Sequence, residues 1–389
     1  MLQLTCDNPV KPAYFYPILV MYLLVFGFTY LVMYYVKKYY EKLRNRGLST
    51  SIEEGVVYPE EFIKNKDILK YKYLSAYTLT RASMWAKAPY LYVLYNKYHG
   101  FDVQEIGILY VVDAVSGLIS GPIFGYLSDR FGRKFFCLFY CLIVFTNLSL
   151  RLTGSIPLAY IAQIITGFGA GLINSSFESW VVFESEKVFK DRNKEKEKFL
   201  KRLFKNINLY DAIISVVISS VAAFIFTKYG VLYAIGLSMI LSLAAFFVIL
   251  ILWSENKPNS SKNKKSESFA SALSELKKRD VLSIGIIESI FQACLNLFIF
   301  AWTPILQRST TWSEINVGFI FICYVIVMIF FTALYELFII YVKSRYYLSL
   351  AVVLFINTVM WYLVYSVESF FWRMQFLSII NVGIFNLIS

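Results

Sequence analysis

The sequence predicts an all-α polytopic membrane protein of about eleven transmembrane helices: one extra N-terminal helix, a six-helix bundle and a second, C-terminal bundle. Three observations predict it. Of 389 residues, 58% are apolar and 19% aromatic while 16% are charged, whereas soluble domains carry about a quarter charged residues. The apolar residues form blocks long enough to cross a hydrocarbon core of roughly 30 Å at about 1.5 Å per residue. Nearly all Lys and Arg residues fall between those blocks.

The first block, 13–36, is too long and too weakly basic at its front for a cleavable signal, so it reads as a spanning helix. Ten more follow near 73–96, 106–127, 135–152, 156–184, 208–227, 231–253, 281–304, 316–342, 346–365 and 370–388. The gaps after Arg151 and Lys228 need only tight turns. The Ser/Asn/Lys-rich stretch 254–279 falls after the six blocks that start at 73 and reads as a flexible linker between two bundles. The expected organisation is therefore an extra helix with its cytoplasmic connector (1–72), a six-helix bundle (73–253), the linker (254–279) and a C-terminal bundle (280–389).

Charge sets the expected orientation, because Lys and Arg in short loops stay on the cytoplasmic side. Segments 37–72, 128–134, 185–205, 254–279 and 343–345 hold 30 of the 38 basic residues. Six lie at the opposite face, Arg151 among them, and two, Arg81 and Lys87, lie inside a block. This places the N-terminus outside and the C-terminus in the cytoplasm, with the plasma membrane as default address and an internal membrane still open. The net charge of +12 is then a topology signal, and no nucleic-acid partner is expected. Five cysteines without a CxxC pair and the single histidine, His99, leave no metal site.

Between the third and fourth blocks stands Gly125-Tyr-Leu-Ser-Asp129-Arg130-Phe-Gly132-Arg133-Lys134. Glycine allows close helix approach and a tight turn, the carboxylate complements a helix N-terminus, and the cations can pair and unpair as bundles move. This stretch resembles the GxLxDRxGRK/R signature of the major facilitator superfamily. Ala88-Pro89-Tyr90-Leu91-Tyr92 with Leu94-Tyr95, Gly107-Ile-Leu-Tyr110, Phe177-Glu178-Ser-Trp180, Trp302-Thr-Pro304 and Val367-Glu368-Ser369-Phe370 further resemble the molybdate-anion transporter family of that superfamily. The resemblance implies two six-helix bundles around a central site, molybdate uptake, no cofactor, and two more helices after the last block. The chain ends at Ser389, which leaves two alternatives, a fragment or an incomplete second bundle.

Departures from the family pattern matter as well. Where that family carries Asp-Trp-x-Gln before the Ala-Pro-Tyr, this chain reads Met84-Trp85-Ala86-Lys87, a carboxylate lost and a cation gained. Gln163 stands where the superfamily has an arginine ahead of Gly167 and Gly169. The family's Gln and Glu one turn apart appear reversed as Glu288 and Gln292.

Ionisable groups inside membrane helices are costly, so each is a functional candidate. Arg81 and Lys87, with Tyr90, Glu288, Gln292 and Asn296, form the expected substrate-binding set, since a tetrahedral oxyanion needs positive charge and directed donors. Pro89 is expected to kink or locally unwind the helix carrying them. Asp113 and Glu288 are the candidates for proton coupling. Arg81 and Lys87 have a structural alternative, pairing with Asp113 or Glu178, and Asp211 has one as a helix cap.

The resulting expectation is a secondary active transporter of a small oxyanion, molybdate first, working in the lipid bilayer by alternating access. A GxxxxGK[ST] loop is absent, so ion or substrate gradients would supply the energy. The alternatives are a transporter of a sugar or other polar metabolite, and a non-transporting receptor or assembly subunit. A homo-oligomer is one way an incomplete cavity could be completed. An enzyme is not expected, because no nucleophile with its base and no paired metal ligands are visible.

Overall fold

The computed structural model describes residues 60–190, 192–255, 295–308, 316–342 and 346–368, together with 373 and 377. The expected helix at 13–36, that at 370–388 apart from 373 and 377, Glu288, Gln292 and most of the 254–279 linker lie outside the described residues. The chain divides into two units, one over Val57–Ile287, the other over Met1–Val56 and Glu288–Ser389.

The first unit holds six long helices: α1 (Glu60–Lys87), α2 (Val103–Phe131), α3 (Arg133–Arg151), α4 (Ile156–Phe189), α5 (Asn193–Tyr229) and α6 (Val231–Leu252). Two start far ahead of the sequence blocks. The α5 helix starts 15 residues before the expected 208 and α1 starts 13 before the expected 73, because charge interrupts hydropathy but not helix propensity. At 37 residues α5 is about 55 Å long, well beyond a hydrocarbon core, so its Lys/Glu-rich first turns stand in water.

Among the described residues, four helices contain stretches long and apolar enough to cross a membrane: Val103–Ser120, Arg133–Arg151, Asn193–Tyr229 and Val231–Leu252. The helix after Lys87 changes character at Pro89, as the missing amide demands. It becomes a 3-10 turn over Ala88–Tyr90, one α turn over Leu91–Val93 and a π turn over Leu94–Tyr98. The α2 helix then begins with the Asp102 backbone N–H donating to Glu105 Oε2 at 2.9 Å.

Within this unit α2 runs along α4, α3 packs on α4 and α6, and α1 packs on α5 and α6. Small residues permit these close approaches, as expected where lipid supplies no hydrophobic drive between helices. A Cβ on Gly167 of α4 would stand 2.4 Å from Ser116 Cβ and 2.7 Å from the Asp113 carbonyl oxygen of α2. Ser120 Oγ donates to that glycine's carbonyl at 2.9 Å. Between α1 and α6, Ser83 Oγ donates to the Ser238 carbonyl at 2.8 Å and Ser238 Oγ donates back at 2.6 Å.

Just past the end of α6 Trp253 stacks on Trp180 at 3.8 Å and donates to the Lys72 carbonyl, while Trp180 donates to the Ser254 carbonyl. The end of α6 is thereby tied to both α1 and α4.

In the second unit the described helices are α7 (Leu295–Gln307), α8 (Val317–Val342) and α9 (Tyr346–Ser366). Trp302 and Phe298 of α7 both meet the edge or face of Tyr324 on α8, with centroids 5.4 and 5.9 Å apart.

Candidate functional site

Two of the ionisable candidates in the first unit gather around a residue that sequence reasoning assigned to an outer loop. Arg151, the last residue of α3, is only 3% exposed. Its Nη2 donates to Gln163 Oε1 at 2.8 Å and to Thr166 Oγ1 at 2.7 Å, both on α4. Gln163 lies seven residues past the start of α4, roughly 10 Å down the helix, so the guanidinium points into the unit and away from the helix end.

Its outer side is closed by the π turn. The Tyr95 ring lies 6.0 Å from the guanidinium carbon and stacks on Phe101, and His99 Nε2 donates to the Arg151 carbonyl at 2.9 Å. Arg151 Nε has no hydrogen-bond partner among the described residues. No described carboxylate lies within ion-pair distance of Arg151.

Lys87 and Asp113 both lie within the field of this guanidinium. Lys87 is half-buried at the end of α1, where Pro89 interrupts the helix, and makes no hydrogen bond or ion pair among the described residues. Asp113 sits on α2, with its backbone carbonyl beside Gly167 of α4. By residue type the group is two bases and one acid, one basic side chain more than it has acidic ones. A cation surplus held away from water lowers its own cost by attracting an anion.

Arg81 is differently placed. Its Nε and Nη2 donate to Asp211 Oδ1 and Oδ2 at 2.8 and 2.6 Å, and Trp85 Nε1 donates to the same Oδ1 at 3.0 Å. The partner is therefore on α5, neither Asp113 nor Glu178, and Asp211 lies in the middle of a helix where no cap is needed. Tyr90 is fully buried with its ring stacked on Phe226 at 4.9 Å, and its hydroxyl has no partner among the described residues. Asn296 is half-buried on α7.

The loop motif between α2 and α3 is held by backbone as much as by charge. Gly132 has φ +119°, which a residue with a Cβ rarely adopts, donates to the Ser128 carbonyl at 3.2 Å, and lies against the Glu255 carboxylate. Lys134 Nζ donates to the Leu250 carbonyl of α6 at 2.9 Å, and the Arg133 guanidinium stacks over Phe183 of α4 at 4.8 Å. Arg130 is exposed with its guanidinium carbon 5.7 Å from the Phe131 ring. The side chain of Asp129 and the surroundings of Gly125 are outside the description.

A family model described as sugar transporters with 12 transmembrane helices matches residues 61–374. The chain belongs to this family of the major facilitator superfamily. Among curated proteins, this facilitator is similar to the molybdate-anion transporter of Xenopus tropicalis, 27% identical over 253 residues, covering 62% of this chain and 53% of that protein. It spans about half the length of the curated relatives it matches.

Among solved structures it resembles the nucleoside transporter NupG at a TM-score of 0.62 and 15% identity, covering 82% of this chain and 80% of that one. It also resembles a D-xylose-proton symporter at 0.52 and 14%, with the same two coverages. At these identities the structural likeness concerns the fold alone. The facilitator is thus an integral, multi-pass, all-helical membrane protein.

Sequence reasoning missed Arg151, Thr166 and the inward role of Tyr95. One signal could have found the first: a glutamine in the superfamily's arginine position, with a cation one tight turn away on the preceding helix.

Proposed function

We propose that this facilitator is the membrane-embedded body of a secondary active transporter for a small oxyanion, molybdate, working by alternating access. The observation that carries the proposal is the surplus of positive charge around Lys87, Arg151 and Asp113, in a family whose curated relatives here are named molybdate-anion transporters. Lys87 supplies the mobile ammonium that meets substrate, next to the helix break at Pro89. Tyr90, Gln292 and Asn296 are proposed as donors, and Asp113 and Glu288 as the groups that exchange protons with transport. Arg81 enters through its hold on Asp211. The Gly125, Asp129, Arg130, Gly132, Arg133 and Lys134 motif gates the conformational change. The proposed topology has the N-terminus outside and the C-terminus in the cytoplasm, in the plasma membrane. No catalytic chemistry is proposed.

The test is uptake of radiolabelled molybdate into cells expressing the full-length protein, wild type against Lys87→Gln. The expected result is a loss of uptake efficiency on the order of tenfold or more, equivalent to about 1.4 kcal/mol. A second reading, transport of a sugar or other polar metabolite, is favoured by the description of the matched family. Under it, Lys87→Gln leaves uptake of the neutral substrate nearly unchanged and the wild type accumulates no molybdate. Absence of uptake of either class would instead favour a non-transporting receptor.

A further inference from the structure

The fourth helix of this facilitator presents Gln163 where the resemblance leads one to expect an arginine, yet the position is not without charge. Arg151 reaches it from the neighbouring helix and places its guanidinium against the Gln163 carbonyl oxygen and the Thr166 hydroxyl. Three features separate this arginine from an ordinary helix-end cation. It is almost fully buried instead of turned to the interface, where snorkelling would bring a lone arginine. Both oxygens that accept from it are neutral, and no described carboxylate lies within ion-pair distance of it. Its backbone end is anchored by His99 and its outer face closed by Tyr95, which fixes where the charge sits.

We propose that Arg151 is the charge-selecting positioning residue of the anion site, a fixed cation that makes the region of Lys87 prefer a tetrahedral dianion over a monoanion or a neutral solute. This rests on the oxyanion reading above. The Coulomb energy of a fixed charge with a dianion is twice that with a monoanion at the same distance. A change that weakens a monoanion about threefold therefore weakens a dianion about tenfold. Lys87 makes the contact; Arg151 sets the valence that the contact favours. Because Gln163 holds the guanidinium from the other helix, the same charge can be supplied from either side of that hydrogen bond.

The experiment uses the full-length protein in detergent and in cells, with molybdate and sulfate as dianions and perrhenate as a tetrahedral monoanion. The variants are Arg151→Gln, Arg151→Lys and the exchange Arg151→Gln with Gln163→Arg. Melting temperature is read with and without each anion, and uptake is read in parallel. In Arg151→Gln, the expected result is a dianion affinity lowered about tenfold and a perrhenate affinity lowered about threefold. The exchange and Arg151→Lys should return the dianion preference to within a few-fold of wild type.

Equal anion shifts in wild type and Arg151→Gln would overturn the inference. So would a well-folded exchange variant without a dianion preference, which would mark Arg151 as a purely structural tie between α3 and α4. If Arg151→Gln does not fold, the exchange and the lysine variant decide by the same criterion. Dianion-dependent stabilisation that follows Arg151 without any molybdate uptake would sink the transport reading and leave this inference standing. A wild type that responds to none of the three anions would end both.

Discussion

Arg81 and Asp211 form a two-pronged ion pair between α1 and α5, with side chains 18% and 14% exposed and the Trp85 indole N–H added to the same carboxylate. Each charge is affordable at this depth only because the other is there. Removing one partner leaves an uncompensated charge, at a cost of about 3–5 kcal/mol, whereas replacing both by apolar groups of similar size is far milder. Arg81→Met and Asp211→Leu should each lower the melting temperature of the purified protein strongly. The double variant should recover a large part of the loss, a coupling that a double-mutant cycle of melting temperatures measures.

Gly167 and Gly236 make a matched pair of tests for helix packing. A methyl group on Gly167 meets Ser116 Cβ and α2 backbone within 2.7 Å, atoms that cannot swing aside, so Gly167→Ala should cost about 1–3 kcal/mol and open the α2–α4 contact beside Asp113. Gly236 on α6 has nothing within 4 Å of the same position, and Gly236→Ala should be neutral or stabilising by up to about 1 kcal/mol. Thermal melting of the two variants side by side checks both signs.

His99 links acidity to the same region. Burial holds its imidazole below the ordinary histidine range, with the hydrogen bond to the Arg151 carbonyl opposing that shift. The unfolded chain, with a pKa of about 6.5, therefore takes up the proton first as pH falls. The stability that His99 contributes is complete above that value and drains away on acidification toward its lower folded pKa. Between pH 8 and pH 5 the wild type should lose slightly more thermal stability than His99→Gln, by a few degrees at most because the ring is partly exposed. A difference that widens toward alkaline pH would contradict this sign.

Gly132 tests the loop between α2 and α3 without touching a charge. Its φ of +119° is disfavoured for any residue with a Cβ, and the Glu255 carboxylate occupies the space such an atom would need. Gly132→Ala should cost about 1–3 kcal/mol from backbone strain and displace Glu255 from the end of α6. Uptake rate should fall while the substrate concentration for half-maximal uptake stays near the wild-type value, since no proposed substrate contact changes.

Much of the fold was legible in the sequence because lipid imposes a simple rule. Every backbone group must be satisfied within its own segment, so apolar blocks become helices. The α3, α6, α8 and α9 helices end within two residues of the expected limits, and Pro89 marks the helix break beside Lys87. The starts of α1 and α5 were not legible, because a helix that leaves the bilayer exchanges apolar for charged residues without unwinding.

The sequence alone determined that this chain spans a membrane with helices, that charges such as Arg81, Lys87, Asp113 and Asp211 fall inside apolar blocks, and that Gln163 stands where the resemblance leads one to expect an arginine. These follow from residue type and from spacing along one chain. Only the tertiary structure decided which charges meet: Arg81 with Asp211 across 130 positions of sequence, and Arg151 turned inward to Gln163 and Thr166. Hydropathy and charge bias report the depth of a residue, but not the direction of a long side chain about its helix. That direction is set by which neighbouring helix offers a partner, and partners from distant helices are brought together only by packing.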